Sequence, residues 1–128
     1  MKKLFLGIFF ITASAQSFAV DNEYALTCFQ NDTGSRIYFK IYDSAGWSKM
    51  DLIASYATYA VWHRYSYANE NRSPYLYMQV DTDLTNNAYY QTFQLTRYAR
   101  PSKECNGAVD YRFQYENGNT NYLRLSAQ

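Results

Sequence analysis

The sequence predicts an all-β fold: a small antiparallel sandwich or barrel of about seven strands, closed by one disulfide. Three observations point to it. Residues 36–42 alternate strictly, with Ile37, Phe39 and Ile41 apolar and Arg36, Tyr38, Lys40 and Tyr42 charged or amphipathic. That two-residue period marks a strand with one face on a core. The chain carries 15 Tyr and 2 Trp, and aromatic rings suit pleated, half-buried surfaces better than helices. Two cysteines alone, Cys28 and Cys105, sit far apart in the chain.

The first nineteen residues read as a leader rather than as part of the fold. Met1-Lys2-Lys3 is followed by an apolar run over 4–13 and by small residues at Ala13-Ser14-Ala15 and Ser17-Phe18-Ala19. This is the pattern of a bacterial signal peptide, with cleavage expected after Ala19 and, as the alternative, after Ala15. The run is about half the ~20 apolar residues a spanning helix needs, so no membrane insertion is expected after cleavage. Residues 20–128 then form one domain. Loss of Lys2 and Lys3 takes Lys+Arg from 12 to 10 against 11 Asp+Glu, a net charge of about −1. That balance disfavours nucleic acid and anionic membranes as partners.

Export implies an oxidising compartment, secreted or periplasmic, where an isolated cysteine pair is expected to close into a disulfide. A Cys28–Cys105 bond spans a loop of about 78 residues, for which lost chain entropy gives roughly 4 kcal/mol.

The strands follow in order. FQNDTGSRIYFKI at 29–41 and FQYENGNTNYLRL at 113–125 align without a gap. In the second stretch, 111–115 and 122–125 alternate on either side of Asn117-Gly118, a strong hairpin signal because both residues tolerate positive φ. In the first, residues 31–34 are expected to make the matching turn between strands at 26–30 and 36–42. Both stretches therefore read as hairpins of equal loop length, one near each end of the domain. Residues 52–67 are ambiguous between helix and strand periods. The crowding of tyrosine and Trp62 favours a short strand or turn at 52–55 and a strand at 58–65. Residues 75–80 place Leu76, Met78 and Val80 inward, and 89–96 place Phe93 and Leu95 inward. Residues 81–87, 100–102 and 105–107 read as turns or breaks, and 69–73 as the longest exposed loop.

YALTCFQNDTGSRIYFKIY resembles the first hairpin of periplasmic lysozyme inhibitors, which are small disulfide-tied β-barrels. Their Ser-Gly loop and the following Tyr-Trp-x-Lys-Gly are absent, so the resemblance carries no residue roles here. Phe39 with Gly46-Trp47 resembles the βγ-crystallin Greek-key signature over about ten residues, without its calcium-binding stretch. Neither family is adopted.

Catalytic chemistry has little to stand on. His63 is the one histidine, whereas nucleophilic triads and most zinc sites need a histidine with partners. Asp81 and Asp83 are spaced like the start of a calcium loop, but Asn86 and Thr92 stand where glycine and glutamate belong. Asp43, Asp51, Asp81, Asp110 and Glu116 show no spacing that selects an acid–base pair. No metal or cofactor is implied, and the chain is read as a non-enzyme.

The remaining signal is aromatic and basic. Tyr38, Lys40, Tyr42, Tyr75, Tyr77, Tyr122 and Arg124 fall on outward faces, and Trp62 and Tyr65 are candidate anchors. Rigid rings with polar tips suit a protein or carbohydrate partner. The expected function is binding. An inhibitor of a hydrolase such as a muramidase, inserting residues 69–74 (NENRSP), is the alternative, and a glycan-acting enzyme comes third.

Overall fold

A computed structural model of the chain describes residues 23–64 and 75–128. The expected leader, Tyr65 and the 69–74 loop lie outside these residues. Among the described residues there is no helix. Nine strands run in chain order: β1 (Tyr24–Asn31), β2 (Ile37–Tyr42), β3 (Ser48–Ile53), β4 (Thr58–Arg64), β5 (Tyr75–Asp81), β6 (Tyr90–Thr96), β7 (Tyr98–Arg100), β8 (Tyr111–Glu116) and β9 (Asn119–Ala127). The expected count of about seven omitted the short β7 and most of β3.

The strands form two sheets, and the arrangement is a sandwich. The first has the order β4-β1-β8-β9, with β7 also paired to β1; the second has the order β3-β2-β5-β6. β7 runs antiparallel to the first half of β1, from Tyr24 to Leu26. β8 runs parallel to the second half, with Phe29 opposite Tyr111 and Asn31 opposite Phe113. The inner faces meet in one core that includes Phe29, Ile37, Ile41, Leu76, Met78, Val80, Leu95 and Phe113. Phe29 stacks on both Tyr111 and Phe113. Leu76, Met78 and Val80 point inward as their alternation requires, and Phe93 packs against the core while staying partly exposed.

One of the two expected hairpins is real. β8 and β9 pair antiparallel across Asn117-Gly118, whose φ values of 51° and 75° are those of a tight hairpin turn. The other expectation is overturned, because β1 and β2 do not pair. β1 belongs to the first sheet and β2 to the second, so residues 31–36 carry the chain across the sandwich. Asn31 is the reason. Fully buried, its amide donates to the carbonyls of Ser35 (2.8 Å) and Ala54 (3.0 Å). Its oxygen accepts from the Thr33 N–H (2.9 Å) and hydroxyl (2.7 Å). The side chain thus supplies the bonds that a ladder would otherwise supply, and it fixes an arch instead of a hairpin.

Cys28 and Cys105 form the expected disulfide, with Cα atoms 5.9 Å apart. Beside it, Arg100 grips Asp110 with two bonds of 2.6 Å, and Asp110 Oδ2 accepts the Cys28 N–H at 2.7 Å. This charge-assisted fork pins the disulfide-bearing segment to the central strand. The Arg100 guanidinium is held above its ordinary value chiefly by its bond to Asp110.

Candidate functional site

The outer face of the second sheet carries the largest group of the expected binding residues. Registers place Leu52, Met50 and Ser48 of β3 opposite Tyr38, Lys40 and Tyr42 of β2. Lys40 and Tyr42 in turn face Gln79 and Tyr77 of β5, and Asp81 at the end of β5 faces Tyr90 of β6. Tyr42 and Tyr77 stack at 5.5 Å, and Lys40 Nζ lies 5.9 Å from the Tyr42 ring. Those two rings are therefore half-buried by each other. Tyr75 ends the row, exposed opposite Thr96.

The open part of this face lies at the other end. Tyr38 is 61% exposed, Met50 80% and Tyr90 63%. Together with Lys40, Leu52 and Gln79 they line a depression of about 480 Å³. A smaller one of about 290 Å³, bordered by Arg36, Asp81 and Leu84, adjoins it at Tyr38 and Tyr90. The two tyrosines thus form a shared ridge between two hollows.

Trp62, Tyr122 and Arg124 do not join this face, because they belong to β4 and β9 of the other sheet. Trp62 meets Tyr24 edge-on at 5.7 Å, with Lys103 Nζ 5.1 Å from its ring. Arg124 donates to Gln114. The aromatic-basic residues are therefore split between two sheets.

Met50, Leu52 and Tyr90 were missed by sequence reasoning, and β3 explains why. In SKMDLI the apolar Met50 and Leu52 point outward, while Lys49 and Asp51 share the inner side with Ile53. The usual polarity of an alternating strand is reversed, and the period alone does not reveal it. The inner charges close on the neighbouring edge strand. The Tyr59 hydroxyl donates to Asp51 Oδ2 at 2.7 Å, and Lys49 Nζ lies 3.3 Å from the same oxygen. The Tyr59 bond holds the Asp51 carboxyl below its ordinary value, and the same pair of neighbours raises Lys49. Burial raises Tyr59.

Of the other carboxylates the sequence put forward, Asp43, Asp81 and Asp110 do structural work. Asp43 sits with Arg97 in a buried pair at 3.5 Å and accepts the Ala45 and Trp47 N–H groups. Asp81 accepts the N–H groups of Asp83 and Tyr89, and Asp83 those of Thr85 and its hydroxyl. These are Asx turns. His63 lies edge-on to Trp47 with ring centres 4.7 Å apart. Among the described residues no group of three or more His, Cys, Asp or Glu is placed to hold a metal ion.

Fold and face together define a disulfide-tied, two-sheet β domain with an exposed tyrosine and methionine surface. Comparison of the chain with protein-family models, with curated proteins and with solved structures found no match.

Proposed function

We propose that this chain is an exported, non-catalytic binding module whose contact surface is the outer face of the β3-β2-β5-β6 sheet. One observation carries the reading: Tyr38, Met50, Leu52 and Tyr90 stand exposed around one depression, with Lys40 and Gln79 between them. Aromatic rings and methionine are enriched at protein interfaces, the first for rigid area and the second for adaptable packing. The apolar share of the surface favours a protein partner over a glycan, since Met50 and Leu52 offer a sugar neither a planar ring nor a hydrogen bond. The disulfide is consistent with export to an oxidising compartment.

The test is calorimetric titration of the purified protein against muramidases, proteases and soluble cell-wall and host oligosaccharides. Tyr38→Ala and Met50→Lys should each weaken capture of the partner found by more than about tenfold, the scale of an interface anchor. Their melting curves should match the parent. Equal binding by both variants would remove the surface from this role.

A further inference from the structure

We infer that β6 is an association edge, and that its partner is β6 of a second copy of the same chain. This rests on the backbone of β6 and not on the identity of any ligand.

Among the described residues β6 is an outermost strand, paired to β5 alone. Its two ends show which backbone groups face outward. The Thr96 N–H donates to the Tyr111 hydroxyl (2.8 Å), and the Thr96 carbonyl accepts from the Thr27 hydroxyl (2.9 Å). Both groups of Thr96 thus point away from β5. By the two-residue period of a strand, those of Gln94, Thr92 and Tyr90 point the same way. The first sheet satisfies Thr96. At Tyr90, Thr92 and Gln94 no strand of the described residues lies beyond.

Two other edges, those of β3 and β9, are protected. β3 turns Lys49 and Asp51 inward, a device that discourages strand addition, and both close onto Tyr59 of β4. β9 is bridged at Tyr122–Asp83 to the connection between β5 and β6, and bonded there through Asn121 and Leu123. β6 has none of this. Its sequence, YQTFQLT, contains no charge, no proline and no bulge, and its inner Phe93 is left partly exposed.

An edge of this kind requires an extended backbone, and β6 is its own complement. Antiparallel pairing about a two-fold axis through Thr92 sets Thr92 against Thr92 and Tyr90 against Gln94 of the second copy. Each of these positions exchanges both of its free backbone bonds. Thr96, already satisfied, is left out of the ladder. Thr–Thr pairing lies at the centre, Phe93 meets Gln91 on the inner face, and no like charges oppose. The contact is isologous, so it closes at two copies and joins two four-stranded sheets into one. Five residues of edge, Tyr90 to Gln94, make a small interface, and the dimer should therefore be weak, with Kd on the order of micromolar.

Sedimentation equilibrium of the purified protein across micromolar to millimolar concentration tests this. The parent should fit a monomer–dimer equilibrium. Thr92→Lys sets like charges against each other at the axis, and Thr92→Pro removes an N–H that the monomer does not use. Each should weaken the dimer by more than about tenfold. A parent that stays monomeric throughout overturns the proposal and leaves the edge to an extended segment of another protein. So does a dimer that persists in folded Thr92→Lys or Thr92→Pro.

Discussion

Removal of the Cys28–Cys105 bond offers a perturbation whose size follows from the chain's topology. The cysteines are 77 positions apart, so the bond closes a long loop in the unfolded chain, and its loss restores roughly 4 kcal/mol of chain entropy to that state. The folded state should change little. Asp110 still accepts the Cys28 N–H and Arg100 still holds Asp110, so the two segments stay in register without sulfur. Cys28 is fully buried, and Cys28→Ala adds a small cavity penalty of about 1 kcal/mol. The double variant Cys28→Ala/Cys105→Ala should therefore lose about 4–5 kcal/mol in urea unfolding. The parent in excess reductant should fall within about 1 kcal/mol of it. In thermal unfolding the same change lowers Tm by roughly 15–30 °C for a domain of this size. A loss below about 1 kcal/mol would refute the reasoning. It would mean that the unfolded chain already holds these segments together, or that the Arg100–Asp110 fork alone sets the stability.

Two further outcomes are expected. Asn31→Ala should cost about 2–4 kcal/mol in urea unfolding, because it leaves the buried Thr33 N–H and hydroxyl without their acceptor, takes one of two donors from each of the Ser35 and Ala54 carbonyls, and opens a cavity. A near-neutral result would show that the arch does not depend on Asn31. Asp51→Asn should leave the parent the more stable protein near neutral pH by a small margin, since the site is partly exposed. The folded carboxyl titrates below its ordinary 3.8, so the parent's advantage is present above that value. It is lost as pH falls through the folded value. Urea midpoints of parent and variant should converge in that acid range, and a constant gap down to pH 2 would contradict the Tyr59–Asp51 bond.

Local chemistry made much of the fold legible. The alternation of β2 and β5 named their buried residues, and Asn117-Gly118 named the β8–β9 turn, because side-chain direction and positive φ are properties of a few adjacent residues. The first stretch misled for a local reason as well. Where the second stretch has Asn117 at φ 51°, the first has Thr33, a β-branched residue that resists positive φ and does not adopt it here. The shared Phe, Gln, Gly and Tyr concealed that difference. The candidate surface was legible only in part. Tyr38 and Lys40 followed from period two, but Met50 and Leu52 lie on a strand whose charged side faces inward, a choice made by Tyr59 on a different sheet.

The sequence by itself determined that the protein is built of strands, that one sulfur bond ties residues near its two ends, and which side chains of the regular strands turn inward. Each depends on neighbours in the chain or on a simple count. Only the tertiary structure decided that β1 leaves β2 for the opposite sheet and runs parallel to β8. It also decided that the tyrosines divide between two sheets and that, among the described residues, β6 stands at the end of its sheet. Those outcomes depend on which distant strands meet, and pairing between distant strands is settled by how buried groups such as Asn31 and Asp110 find their bonds once the two layers close.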